Sequence, residues 1–127
     1  MDKTAMVSED IDTGLEIVEK LDQARLKISV ALLAFLSEYG DWRLIISSRQ
    51  FDSLHLRDAF GLLHASLDAA GIAPGRAPLL MILPMNDPFI RDLRRYFGKT
   101  KSVERMRLGG QIFGDRFVED AYVYRIS

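Results

Sequence analysis

Two apolar segments joined by a short turn constrain the fold of this chain more than any other feature. Residues 27–36 carry apolar side chains at alternate positions, and residues 42–47 read Trp-Arg-Leu-Ile-Ile-Ser, which is typical of a β-strand. Gly40 lies in the intervening turn, so the pair predicts a β-hairpin of matched strands. Residues 27–36 also fit a helical stripe, and a helix there remains the alternative. We favour the strand because of its neighbour.

Three helices are predicted from apolar spacing and from residues that start and stop helices. The first begins at Ser8 or Asp10 and ends near Ala24, with Gly14 as a weak point. The second has Ser53 as its N-cap and ends at Gly71. The third has Asp87 as its N-cap, Pro88 in its first turn and Gly98 as its terminator. We expect Arg49 to lie in the loop before the second helix.

The remaining apolar segments predict strands. Residues 79–83 are continuously apolar, as in a central strand covered on both faces, and residues 106–113 and 117–126 form a hairpin around Gly114-Asp115. Gly109-Gly110 is typical of a bulge or a close backbone approach. Alternation puts Val118, Tyr122, Tyr124 and Ile126 largely on one face of the last strand and Phe117, Ala121 and Val123 on the other.

The predicted order is α-β-β-α-β-α-β-β, which defines an α+β fold. We expect a two-layer or three-layer α/β sandwich with a mixed five-stranded sheet, in which residues 42–83 form a right-handed parallel crossover. The chain is expected to form a single domain over residues 1–127, with residues 1–9 as a candidate disordered segment. The predicted core residues are Phe60, Leu63, Leu67, Met81, Ile82 and Leu83.

Composition narrows the class of protein without naming a function. The chain has no cysteine, so disulfides and thiolate metal sites are excluded, which suits a reducing cytoplasm. The longest apolar stretch, residues 30–36, is far too short to span a membrane, and we therefore expect a cytoplasmic protein without membrane contact.

Charge is distributed unevenly along the chain although the total is only −1. Residues 1–22 carry a net charge of −5 and residues 91–107 a net charge of +5, with Tyr96 and Phe97 among the basic side chains. Basic and aromatic residues together are typical of nucleic-acid binding, and an acidic protein partner would suit the same charges. The alternatives are a solvated helix face, or cover by the acidic segment within or between subunits. The candidate contact residues are Arg91, Arg94, Arg95, Lys99, Lys101 and Arg105.

A second candidate site lies where two parallel strands would end. Open α/β sheets bind ligands beyond the carboxyl ends of such strands. The residues expected there are Ser48, Arg49, Asn86 and Asp87. Helix capping by Asp87 is the alternative explanation for that residue.

No residue pattern predicts catalysis, a metal or a cofactor. His55 and His64 are nine residues apart, which places them on opposite faces of a helix. Arg49 and His55 match a spacing seen in some helical RNases, but Arg49 is expected in a loop. Glu119 and Asp120 are neighbours in a strand and so point to opposite faces.

Residues 41–48 (Asp-Trp-Arg-Leu-Ile-Ile-Ser-Ser) and 118–125 (Val-Glu-Asp-Ala-Tyr-Val-Tyr-Arg) resemble a family of small uncharacterised bacterial α+β proteins. The likeness extends over residues 15–127. It implies a strand at residues 27–36 and no activity.

The sequence therefore favours a non-enzymatic interaction module that forms a homodimer, because the aromatic last strand is expected at a sheet edge. A nucleic-acid-associated accessory protein using residues 91–107 is the alternative. A small enzyme with its site at the strand ends is the third interpretation.

Overall fold

A mixed sheet with helices on both faces makes up this α+β protein. The computed structural model describes residues 8–73, 75–99, 103 and 105–127. The helices are α1 (Ser8–Gln23), α2 (Arg49–Asp52), α3 (Leu56–Ala69) and α4 (Pro88–Phe97). The strands are β1 (Val30–Leu36), β2 (Asp41–Ser47), β3 (Leu79–Ile82), β4 (Met106–Leu108), β5 (Gln111–Phe113) and β6 (Arg116–Ile126).

The predicted hairpin of β1 and β2 is confirmed and forms the centre of the sheet. The two strands pair antiparallel from Val30 opposite Ser47 to Leu36 opposite Asp41. The order across the sheet is β3-β2-β1-β6-β4, with β5 also paired to β6. All seven residues of β1 are buried, and neither face of the strand meets water. Because both faces are apolar, the sequence pattern of residues 27–36 fits a strand and a helix alike.

The sheet separates two apolar cores, which gives three layers. Alternate residues of β1 serve each core: Leu32 packs towards α4, and Leu33 packs towards α1 and α3. The α4 side chains in the first core include Phe89 and Leu93, and those of α3 in the second include Leu63. β1 therefore links the two halves of the molecule.

Within the described residues the sheet has six strands where the sequence predicted five, because the segment 106–113 is broken in the middle. Gly110 has a φ of +67°, and a Cβ at Gly109 would lie 3.0 Å from the carbonyl oxygen of Glu119. The two glycines interrupt the predicted strand and divide it into β4 and β5, and the close backbone approach predicted here is found at Gly109. The turn at Gly114, with a φ of +62°, joins β5 to β6 as predicted.

Two strand positions in the sheet differ from the prediction. β3 lies at an edge and not in the centre, and among the described strands it pairs only with β2, in parallel. Leu79 is consequently 56% exposed and Met81, a predicted core residue, is half-buried. β6 is an interior strand, with β1 on one side and both β4 and β5 on the other. The edge position proposed for the aromatic strand is therefore wrong.

The predicted faces of β6 are also wrong, because β6 is bulged. Its register against β1 shifts in two places, each adding one residue to β6. These shifts put Val118, Ala121, Val123 and Ile126 in the core under α4, while Tyr124 packs in the core under α1.

The segment after β2 is helical where a loop was predicted. Ser48 caps α2, which begins at Arg49, and Ser53 lies at the C-terminus of α2. The N-cap of α3 is His55, so the prediction of Ser53 as that cap is wrong. Phe51 explains the extra turn, since its side chain is buried in the core under α3.

The other helix boundaries agree with the sequence. α3 ends with Gly71 at a φ of +78°, and the N–H groups of Gly71 and Ile72 donate to the last turn in a Schellman arrangement. Asp87 caps α4 and Gly98 ends it. α1 begins at Ser8, so residues 8 and 9 are helical and only residues 1–7 of the candidate disordered segment lie outside the described residues.

Of the six predicted core residues, Leu63, Leu67, Ile82 and Leu83 are buried, whereas Phe60 is half-buried like Met81. Within the ranges given above, none of the helices is long and apolar enough to cross a membrane.

Candidate anion-binding surface

The parallel pairing of β2 with β3 brings the segments that follow these strands to one edge of the sheet. α2 follows β2 directly, and a short turn after β3 leads into α4. Of the four residues predicted at this edge, Arg49 and Asn86 line one groove, while Ser48 and Asp87 do not.

The side chains of Ser48 and Asp87 form hydrogen bonds with backbone groups. The Ser48 hydroxyl donates to the carbonyl oxygen of Lys27 at 2.6 Å and accepts from the N–H of Gln50 at 3.2 Å. The Asp87 carboxylate accepts from the N–H of Phe89 at 2.9 Å. Both side chains therefore stabilise helix starts, and the capping interpretation of Asp87 is confirmed.

Three arginines from two elements line the groove between α2 and α4. Arg49 comes from α2, and Arg91 and Arg94 from α4; the groove has a volume of about 500 Å³. Asp52 is the one carboxylate among its lining residues and accepts the N–H of Met85 at 3.2 and 3.3 Å. The guanidinium groups outnumber the carboxylate, which gives the groove a positive potential.

A second groove runs along the other side of α4 and shares two of these arginines. Arg91 and Arg94 line both grooves, and Arg95 lines only the second, whose volume is about 540 Å³. Spacings of three and four residues put Arg91, Arg94 and Arg95 side by side on one face of the helix. We call Arg49 and these three α4 arginines the basic surface.

The arginines of the basic surface differ in how far they are already paired. Arg95 forms an ion pair with Asp92 at 3.2 Å, and the Nε of Arg94 donates to the carbonyl oxygen of Ser127 at 2.8 Å. For Arg49 and Arg91, the described part of the chain contains no carboxylate within the 4.0 Å that defines an ion pair. Both guanidinium groups are exposed and available to an anion.

The other predicted basic residues do not join this surface as a group. Lys99 is exposed just beyond the end of α4, and Lys101 lies outside the described residues. Arg105 lines a separate cleft of about 280 Å³ together with Glu19 and Asp22 of α1. The +5 segment is thus divided between the two sides of the sheet.

The acidic helix α1 lies on the face of the sheet opposite α4. Its carboxylates pair with cations on its own side: Glu16 with Arg76 at 3.0 Å, and Asp22 with Arg125 at 2.7 Å. Within one copy of the chain, the described acidic residues of α1 come near the basic segment only at the cleft that Arg105 lines. Within residues 8–23, no acidic side chain is paired with an arginine of α4.

Two of the groups considered for catalysis have side-chain partners. His64 stacks against Phe60 with ring centroids 6.1 Å apart, whereas His55 is the N-cap residue of α3 but its side chain forms no capping hydrogen bond. Both carboxylate oxygens of Asp120 accept from Arg107 at 2.8 Å. Among the described residues, no group of three or more histidine or carboxylate side chains could hold a metal ion.

Two features of the basic surface were not predicted from the sequence. Arg49 was placed with the strand ends and the α4 arginines with a separate basic segment, although the structure brings them into one groove. Asp52 was missed; its position one turn of helix after Arg49 would have indicated it once α2 was recognised.

Comparisons with protein-family models, with curated proteins and with solved structures found no match to this chain.

Proposed function

We propose that this protein binds nucleic acid through the basic surface. The observation that carries the proposal is the convergence of Arg49 with Arg91 and Arg94 in one groove, although α2 and α4 are about 40 residues apart in sequence. We place the protein in the bacterial cytoplasm, on the basis of its composition and of the family resemblance described above.

The shape of the basic surface favours a polymer over a small molecule. Small-molecule sites are concave and enclose most of their ligand. Here the cations lie on a convex helix with an open groove on each side, and Arg91 and Arg95 at the crest are exposed. A phosphodiester backbone can cross such a ridge and contact several guanidinium groups in succession.

The separation of charge across the sheet supports the same proposal. The protein has a net charge of −1, so its overall field does not attract a polyanion. Because the acidic α1 is behind the sheet, the α4 side presents a local excess of positive charge. This arrangement would orient the protein with α4 towards the phosphates and α1 away from them.

Binding of labelled duplex DNA, measured by fluorescence anisotropy at several salt concentrations, tests the proposal. The variant Arg91→Glu/Arg95→Glu should bind more weakly, and the slope of log K against log salt should flatten by about 0.9 for each phosphate that the variant no longer neutralises. The matched control Lys20→Glu/Arg57→Glu makes the same charge change on helices behind the sheet and should keep most of the affinity.

Equal losses in the two double variants would mean that only net charge matters and would contradict a specific basic surface. Failure of the wild-type protein to bind either duplex or single-stranded DNA at tens of micromolar at about 50 mM salt would also contradict the proposal. An acidic protein partner would then be the better explanation of the exposed arginines.

Self-association as an interaction module is a second candidate, supported by the position of β3. This edge strand offers unpaired backbone groups beside the exposed Leu79, and an apolar groove of about 250 Å³ lies between it and α3. A homodimer would pair two copies of β3, so it does not need the edge that was wrongly expected at β6. Light scattering should give a dimer for the wild type and a monomer for Leu79→Lys; a monomeric wild type at micromolar concentration would refute this candidate.

A further inference from the structure

Tyr96 is an exposed aromatic side chain held at the border of the basic surface. It is 59% exposed, although most of the apolar residues of α4 are buried. At 100° per residue, Tyr96 lies about 140° around α4 from Arg91 and about 100° from Arg95. The arginines and Tyr96 therefore lie on one arc of the helix surface, which also carries Asp92, the ion-pair partner of Arg95.

Contacts with two residues, Phe113 and Arg95, fix the orientation of the Tyr96 ring. It packs edge-on against Phe113 of β5, with centroids 6.1 Å apart and planes at 71°. The guanidinium carbon of Arg95 lies 5.0 Å from the ring centroid, and Nη2 of Arg95 donates to the Tyr96 hydroxyl at 3.3 Å. The ring is thus oriented before any ligand arrives, which lowers the entropy cost of stacking on it.

We propose that Tyr96 and Arg95 form a stacking platform for a base of single-stranded nucleic acid, whose phosphates are bound by the remaining arginines of the basic surface. The inference rests on the proposed nucleic-acid binding and names the form of nucleic acid. Bases in a duplex are stacked on each other and expose only their edges, whereas a single strand can place a base against an aromatic ring or a guanidinium plane. Cations beside a fixed, exposed ring match the second case.

The test uses three labelled probes of about 16 positions: an oligothymidine strand, a strand of the same length made of abasic sites, and a duplex. Wild type should bind oligothymidine more tightly than the abasic strand, because only the first offers bases to stack. Tyr96→Ala should lower the affinity for oligothymidine about 5- to 150-fold and leave the abasic strand unaffected. Tyr96→Phe should keep the affinity, because it keeps the ring.

Tyr39 provides a matched control elsewhere on the surface. It is 37% exposed and lies under Arg43, whose guanidinium carbon is 4.0 Å from the ring centroid. Arg43 is already paired with Asp41 at 2.8 Å, and that hydrogen bond raises the pKa of Arg43. Tyr39→Ala should therefore leave the affinity for all three probes unchanged.

The outcomes separate this inference from the function on which it rests. If wild type binds all three probes equally, or if Tyr96→Ala weakens the oligothymidine and abasic strands alike, stacking is refuted while the basic surface stands. If Arg91→Glu/Arg95→Glu changes no affinity, the proposed function fails as well. Unchanged thermal midpoints in the Tyr96 variants show that any loss of binding is not a loss of folding.

Discussion

At the scale of single residues, Gly14 has a packing role that its sequence context does not indicate. Glycine in a helix interior costs about 0.5–1 kcal/mol relative to alanine, so the sequence marks Gly14 as a weakness of α1. In the structure Gly14 faces the Tyr124 side chain, and a Cβ there would overlap the Tyr124 hydroxyl. The missing side chain gives the phenol room to donate to the carbonyl oxygen of Ile11 at 2.8 Å.

Gly14→Ala should therefore destabilise the protein, against helix propensity, because Tyr124 must move and lose its hydrogen bond. Gly61 of α3 is the matched control, since a Cβ there meets nothing within 4 Å. Gly61→Ala should stabilise by about 0.4–1 kcal/mol. Urea denaturation measures both; a gain in stability for Gly14→Ala would contradict the packing assigned to Tyr124.

Tyr124 should also make stability depend on alkaline pH. Burial is the main cause that raises the pKa of the Tyr124 phenol well above its usual value of about 10. The folded state thus holds the proton more tightly than the unfolded state, and this stabilisation is present below about pH 10 and lost as the pH rises through the folded pKa. Between about pH 8 and pH 11, the wild type should lose more free energy of unfolding than Tyr124→Phe. Equal losses would mean that Tyr124 is not protected from ionisation.

At the scale of secondary-structure elements, the start of α4 was predicted correctly and the start of α3 was not. Asp87 precedes a proline and caps α4 as its sequence indicates. Ser53 is also a residue type that caps helices, yet it lies at the C-terminus of α2, and its hydroxyl donates to the carbonyl oxygen of Gln50 at 3.0 Å. Burial of Phe51 decided between the two, and that burial depends on α3 and the sheet.

Asp87→Ala should accordingly cost about 0.5–2 kcal/mol of stability, because the N–H of Phe89 loses its acceptor. Ser53→Ala should change stability by no more than about 0.5 kcal/mol, since Ser53 is exposed and caps no helix start. Thermal unfolding of the two variants under one condition checks this contrast. A larger cost for Ser53→Ala than for Asp87→Ala would restore Ser53 as a helix cap.

At the scale of the whole molecule, both cores are built on β1, and we expect them to unfold together as a single domain. Leu63→Ala removes a fully buried side chain from one core and Leu93→Ala from the other. Each should cost about 2–5 kcal/mol and shift the same single transition.

Leu62→Ala is the control, because Leu62 neighbours Leu63 but is 39% exposed, and it should cost much less. Two separate transitions, each sensitive to only one of the two core variants, would show that the two cores unfold as independent units.

The sequence by itself determined the features that depend on neighbouring residues. These are the hairpin around Gly40, the C-terminal end of α3, both ends of α4 and the turn at Gly114. Each rests on a local steric or hydrogen-bonding requirement that few residue types satisfy, and together they were enough to give the α+β class and the three helices longer than one turn.

Only the tertiary structure decided which strands lie at the edges and which side chains meet across elements. An apolar run such as residues 79–83 predicts buried faces but does not show which strands flank it, so β3 was expected at the centre and not at the partly exposed edge where it lies. In β6, each bulge adds one residue, so the side chains beyond it point to the face opposite the one that simple alternation predicts. For the same reason, the sequence assigned Arg49 and Arg91 to two separate candidate sites. The parallel pairing of β2 with β3 brings the two arginines together, and this contact between distant segments is not encoded by any local pattern.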